Sequence, residues 1–329
     1  MKKLLLTTGL ASAVLFSANA MAEVKVGAVL EWNIGSSEVA ATGAKDSGPT
    51  AIGFSTELDI SSTKTLSNGM ILNLHAEMMD NTAGFTDVGF NLTSGNVRFH
   101  IGQDDLAIGD SDVVPKVGEA YDSTLLNGIT YSASKGTTHG NATIGGVYTT
   151  PVGSFQVGYQ PQGGSGLGAH GGGLDTVGSG GSSYEVGFFG NLGVEGLNTK
   201  LVRIVDQPAD DTAALEDITS LQYGVAYNFG KVSVGAHRID YDGSAVTADD
   251  ETHTGVGVTF AASDVLSFGV EMTKMDKDLM ASDEDGLSVG VGYDLGGLVI
   301  TAQYLEIENA GGTTGKDAEA FLIRTVAAF

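Results

Sequence analysis

The chain has 329 residues, with 40 Asp+Glu against 16 Lys+Arg, 49 glycines, five prolines and no cysteine. A hydrophobic share of 42% is too high for a disordered acidic chain, and the lack of Cys excludes a disulfide scaffold or a thiolate zinc site. A net charge of −24 argues against a nucleic-acid partner, whose phosphates it would repel.

In chain order, the first element is a leader. Met1-Lys2-Lys3 supplies a positive start, Leu4 to Phe16 is an apolar run, and Ala20-Met21-Ala22 fits a small-residue cleavage site. Residues 1–22 therefore read as a secretory signal peptide and 23–329 as the exported domain. Removal of Lys2 and Lys3 from the 16 bases leaves 14 against 40 acids, a net charge of −26. No later stretch reaches the roughly 18 apolar residues that a spanning helix needs.

From Glu23 onward the recurring signal is alternation. Val24, Val26, Ala28, Leu30 and Trp32 share one face, with Lys25, Gly27, Glu31 and Asn33 on the other. The same period of two predicts strands near 24–34, 50–60, 69–79, 85–93, 95–103, 140–149, 154–160, 183–192, 196–206, 219–229, 231–241, 253–261, 265–275, 286–295, 298–307 and 318–329. No window shows the helical spacing of apolar residues. Ten residues at about 3.4 Å each, tilted near 40°, rise about 26 Å, the height of the apolar band of an outer-membrane barrel. Tight Gly/Asn turns alternate with the long links 35–49, 104–139, 161–182, 207–218, 242–252, 276–285 and 308–317, so short turns occupy one end and long loops the other. Gly128 to Ser134 is strand-like too. It is assigned to a loop, because a seventeenth wall strand would put the long 161–182 link on the short-turn side. The link Ser61 to Asn68 looks long for a turn, and Asp80 to Gly84 short for an outer loop. The fold expected is all-β, a sixteen-stranded antiparallel transmembrane β-barrel.

The leader, the sixteen strands, the long third loop and the ending Phe321-Leu322-Ile323-Arg324-Thr325-Val326-Ala327-Ala328-Phe329 together resemble the general diffusion porins of Gram-negative bacteria. Leu58 to Leu74, with Thr65-Leu66-Ser67-Asn68-Gly69 at its turn, looks like the second-to-third-strand hairpin of the alphaproteobacterial members. The resemblance covers essentially the whole mature chain. It implies a homotrimer in the outer membrane, in contact with lipid and lipopolysaccharide. It also implies a third loop folded inward, and a terminal aromatic, Phe329, read by the outer-membrane assembly machinery. The acidic Pro-Glu-Phe-Gly motif of enterobacterial third loops is missing; Pro115 and Val117-Gly118-Glu119 are the nearest equivalent.

A sixteen-stranded barrel is too wide for side chains to fill, so inward charges would meet water. Lys25, His75, Arg98 and Arg324 lie on strands that become neighbours at closure and would form a basic wall. The loop 104–139 offers Asp104, Asp105, Asp110, Asp112, Glu119 and Asp122 to face it, and such an arrangement creates a transverse field across a constriction. For any single residue, ordinary solvation of the wall is the stronger expectation. Further acids cluster at Asp206 to Asp217, Asp249-Asp250-Glu251 and Asp283-Glu284-Asp285. They would concentrate cations at the outer mouth. They could also bind Ca²⁺, bridging protomers or lipopolysaccharide, but no spacing matches an EF-hand loop, so solvated loop charge is expected and no cofactor is assigned.

Two glycine motifs fail on context. Gly164-Ser165-Gly166-Leu167-Gly168-Ala169 lacks the strand and helix of a dinucleotide fold, and His170-Gly171-Gly172-Gly173 lacks a G-x-S-x-G elbow. No enzyme is expected. The leading function is passive diffusion of small hydrophilic solutes and ions, with cations preferred. The rivals are a non-conducting surface or adhesive barrel, an outer-membrane lipase for which no Ser/His/acid set stands out, and a substrate-specific channel.

Overall fold

The computed structural model describes residues 23–41, 44–47, 51–79, 87–102, 113–117, 143–160, 182–207, 217–242, 250–278 and 280–329. The strands are β1 (Glu23–Ala41), β2 (Ala44–Ser47), β3 (Ala51–Thr65), β4 (Ile71–Met79), β5 (Asp87–Ser94) and β6 (Val97–Gly102). They continue as β7 (Thr143–Thr150), β8 (Gly153–Gln160), β9 (Ser183–Gly190), β10 (Leu197–Asp206), β11 (Ile218–Asn228) and β12 (Val232–Asp242). The last five are β13 (Glu251–Ala261), β14 (Leu266–Lys277), β15 (Glu284–Asp294), β16 (Leu298–Glu308) and β17 (Ala318–Ala328). A single 3₁₀ turn covers Ala310–Gly312.

All pairings are antiparallel, and β17 returns to β1 with Val29 opposite Ala328 and Val39 opposite Ala318. The sheet is closed, so no edge is left unpaired. Four-residue β2 folds back only on the end of β1, from Glu38 opposite Ser47 to Ala41 opposite Ala44. The wall thus has sixteen strands, and each overlaps one predicted from alternation.

Two predicted boundaries move. Strand β1 runs on to Ala41 and, with β2, takes up most of the link predicted over 35–49, because the ladder to β17 continues to Val39 opposite Ala318. Strand β3 runs on to Thr65, so the link to β4 is only Leu66 to Met70, closed by the Leu66 N–H on the Met70 carbonyl at 2.7 Å. The hydroxyl-rich run Ser61-Ser62-Thr63 reads as a loop by composition. Yet it keeps the ladder, and the Thr63 hydroxyl donates to Asn73 Oδ1 across it at 2.8 Å. The turns at this end are tight. Gly95 between β5 and β6 has φ +56, a conformation that costs an L residue its Cβ clearance. Asp80 to Gly84 and Gly128 to Ser134 lie outside the described residues.

The outward face of the wall is apolar and uncovered: Phe54 is 74% exposed and Val186 53%. Trp32 and Phe54, directly opposite on β1 and β3, hold their rings 6.5 Å apart on that face. Such a belt is stable against hydrocarbon, not water. No helix among the described residues is long and apolar enough to cross a membrane; the crossing is made by strands.

Candidate functional site

Residues directly opposite in a ladder share a face, so the register assigns every inward position. Lys25, His75, Arg98 and Arg324 are all inward. Lys25 pairs with Ser61 and Ser61 with His75, placing the two bases in one row across β1, β3 and β4. Arg98 sits one residue into β6, near the short-turn end, opposite Thr93. Arg324 on β17 donates from Nη2 to Glu31 Oε2, and Asn33 Nδ2 donates to the other oxygen of Glu31 at 2.8 Å.

The same wall is not purely basic. Glu57, Asp59 and Glu77 also point inward from β3 and β4, with one carboxylate oxygen of each within 4.8 Å of the others. Bases and acids are therefore mixed across β1, β3 and β4. Beyond them His75 and His100 lie with nearly parallel rings 6.3 Å apart, and Asn91 Oδ1 is 2.9 Å from His100 Nδ1. Gly89 makes room for that pair, since a Cβ there would lie 2.6 Å from His75 Cε1.

The six acids expected to face this wall, Asp104, Asp105, Asp110, Asp112, Glu119 and Asp122, lie outside the described residues. A neighbouring part of the same loop, Val113 to Val117, is described, and it lies on the inner wall. Val113 meets Gly224 of β11. Pro115 meets Gly235 of β12 and Gly257 of β13. Val117 meets Gly269 of β14 and both Gly290 and Gly292 of β15. The register makes all six glycines inward. The Val113–Val117 segment crosses the lumen face of five strands, β11 to β15, distant from β6 around the barrel.

This contact exposes what alternation could not. A wet lumen would leave inward residues exposed, and around β1, β3, β4 and β5 the described ones are exposed or half-exposed, apart from Gly35 and Gly89. Around β10 to β17 many are buried: Val202, Leu305 and Ile307 are at 0%, with Ile239, Ala320 and Leu322 nearly as covered. The expectation that all inward positions meet water is corrected on that side. Alternation reports which face a residue takes, not whether another segment lies against it. The signal that could have been read is glycine at inward parity within long strands, a mark of close backbone approach.

The acidic clusters also divide. Glu251 and Glu284 are not solvated loop charge. They begin β13 and β15 on the inward side, at 6% and 2% exposure. Glu251 accepts from Lys277 Nζ at 2.8 Å and is 2.8 Å from His253 Nε2. Glu284 accepts the Gly311 N–H, which ties the β16–β17 link to β15. Asn309 Nδ2 donates to the Asp283 carbonyl at 3.2 Å in the same clasp. Buried carboxylates need such partners. Asp283 and Asp285 stay on the surface, Asp283 bound by Lys274 at 2.6 Å. At the long-loop ends of β11 to β14 a cavity of about 300 Å³ is lined by Asp240, Asp242, Asp250, Asp276 and Asp278 among others, and the register puts Asp240, Asp242 and Asp276 on the outward face.

Phe329 extends the outer row of β17 and is 78% exposed. Its N–H donates to the Ala28 carbonyl at 3.0 Å and its carbonyl accepts from Ala28 at 3.2 Å, so the terminus is held by backbone while the ring stays free at the outer surface.

With this geometry the chain resembles solved channel structures over nearly its full length. An anion-selective porin from Comamonas acidovorans matches with a TM-score of 0.67 at 14% identity, over 94% of this chain and 100% of that one. A porin refined at 1.8 Å resolution matches at 0.65 and 17% identity, over 93% and 100%. OmpT, an outer-membrane protein of Vibrio cholerae, matches at 0.62 and 15% identity, over 96% and 99%. At these identities the likeness establishes the fold. No curated protein matches the sequence. The profile of the Gram-negative porin family does match, over residues 9–312. The chain belongs to the Gram-negative porin family, the β-barrels of the bacterial outer membrane that form diffusion channels.

Proposed function

We propose that this protein is a homotrimeric diffusion pore for small hydrophilic solutes and ions, with cations preferred. The observation that carries the reading is the seating of Val113–Val117 on the inner wall. A loop that reaches the far side of the lumen narrows it without closing it. The neighbouring acids Asp104, Asp105, Asp110, Asp112, Glu119 and Asp122 then face Lys25, His75, Arg98 and Arg324 across the remaining gap. Charge of opposite sign on two sides of a narrow, wet passage orients dipolar solutes and disfavours apolar ones.

The cation preference rests on acidic charge in the passage. Glu57, Asp59 and Glu77 stand inward on β3 and β4, and the net charge of the chain is −24. A local negative potential raises the concentration of cations along the passage. The anion-selective relative is one reason this preference needs its own measurement. In this reading the leader 1–22 is removed on export, Phe329 is presented to the assembly machinery, and lipopolysaccharide surrounds the acidic rim.

Planar-bilayer recording of the purified, folded protein tests the pore. Discrete conductance steps are expected. A folded barrel that adds none would instead be the surface or adhesive barrel, a reading favoured by the buried inward positions of β10 to β17. Chemical cross-linking in detergent should yield a trimer as the largest species.

A further inference from the structure

The six glycines under the loop do not owe their identity to backbone conformation. Gly224, Gly235, Gly257, Gly269, Gly290 and Gly292 all lack the positive φ seen at the turn glycines, so any residue could hold the backbone there. What excludes a side chain is space. A Cβ on Gly235 would lie 2.7 Å from Pro115 Cδ, on Gly269 2.9 Å from the Val117 nitrogen, and on Gly290 2.5 Å from the Val117 oxygen. At Gly224 and Gly257 it would overlap Val113, and Val114 with the Pro115 carbonyl. Glycine in a strand interior costs roughly 0.5–1 kcal/mol relative to Ala, so six in one patch is a sustained expense of stability. The glycines form a track across β11 to β15, and the segment resting in it, Val113-Val114-Pro115-Lys116-Val117, is apolar except for Lys116.

We propose that this track determines the cross-section of the pore. It lets the loop lie flush against the wall, and the depth of the track sets how far the loop projects toward the axis. The glycines are positioning residues: they touch the loop, not the solute, and act on permeation through it. The inference rests on the conducting reading above and gives it a structural determinant. Interiors pack at near-crystalline density, so a methyl group placed under the loop moves the loop, not the wall, whose strands are held by ladders on both sides.

The test uses the full-length protein with Gly257 or Gly269 replaced by Ala and by Val. Gly146→Val is the control, because Gly146 faces outward on β7 and a Cβ there meets nothing closer than 3.8 Å. Single-channel conductance and the largest polyethylene glycol that enters the pore are measured. Both should fall at positions 257 and 269, more for Val than for Ala, and stay at the wild-type value for Gly146→Val. Unchanged or increased conductance in folded Gly257→Val and Gly269→Val overturns the proposal. A second variant decides the matter if those fail to fold. The chain has no cysteine, and Val114 Cγ1 reaches the space above Gly257. The pair Val114→Cys and Gly257→Cys should therefore close a disulfide on mild oxidation, whereas recovery of two free thiols from the folded barrel overturns the seat. If wild-type protein conducts nothing, the pore reading fails, and the disulfide still reports whether the loop lies in the track.

Discussion

Arg324 on the last strand reaches Glu31 on the first, bridging the seam that closes the barrel with a charged hydrogen bond between side chains only 19% and 20% exposed. The second oxygen of Glu31 is taken by Asn33, so the carboxylate is fully engaged. Removing either partner strands the other in a half-buried place. Arg324→Met or Glu31→Gln should lower stability by about 1.5–3 kcal/mol, the usual worth of a hydrogen bond to a charged group. The double variant should lose less than the sum of the two. The temperature at which the folded form disappears on unheated gels checks both.

Ion selectivity follows from the inward acids. Replacing Glu57 and Glu77 by Gln and Asp59 by Asn should shift the zero-current potential in a salt gradient toward anions. The effect should shrink as salt rises, since the screening length falls from about 10 Å at 0.1 M to 3 Å at 1 M. A wild-type channel with a strong anion preference would refute the role given to these carboxylates.

The two faces of a strand should respond in opposite ways to charge. Val256 faces outward near the middle of β13 and is 57% exposed on the apolar belt. Val256→Arg should cost roughly 2–4 kcal/mol if it meets the bilayer midplane. Ser55→Arg, inward on the polar wall of β3, should cost far less. Urea unfolding from lipid vesicles distinguishes the two.

Deletion of Phe329 should separate assembly from stability. Its ring is exposed and two backbone bonds to Ala28 hold the terminus. Refolding into detergent should stay near wild type, while the share of protein reaching the outer-membrane fraction of cells should drop. Equal losses in both would make the residue structural.

Much of this was legible in the sequence because a barrel in lipid has only one way to satisfy each strand. Outward residues must be apolar, so Val24, Val26, Leu30 and Trp32 declare their face without any knowledge of the rest of the fold. The inward face is less constrained. Lys25 and Val202 are both inward, yet one meets solvent and the other is at 0% exposure. Strand β10 carries apolar Val202 and Ile204 at inward positions, and Phe189 of β9 packs against them. Glu251 and Glu284 read as loop charge because their partners, Lys277 and Gly311, lie 26 and 27 residues away. Ser61 to Thr65 misled by composition, since hydroxyl side chains suit a wet inward face as well as they suit a turn.

The uneven lining of the lumen has a consequence for how such a protein can change. Outside the Glu31–Arg324 seam, inward positions on β1, β3 and β4 stand in the passage with little packed on them. A substitution there alters what passes while leaving folding intact. Inward positions on β10 to β17 are packed, so a change at Val202, Ile307 or Leu322 is felt first as lost stability. New permeability should therefore arise on one arc of the wall, while the opposite arc drifts slowly, and a library of variants sorted by growth would map that boundary strand by strand.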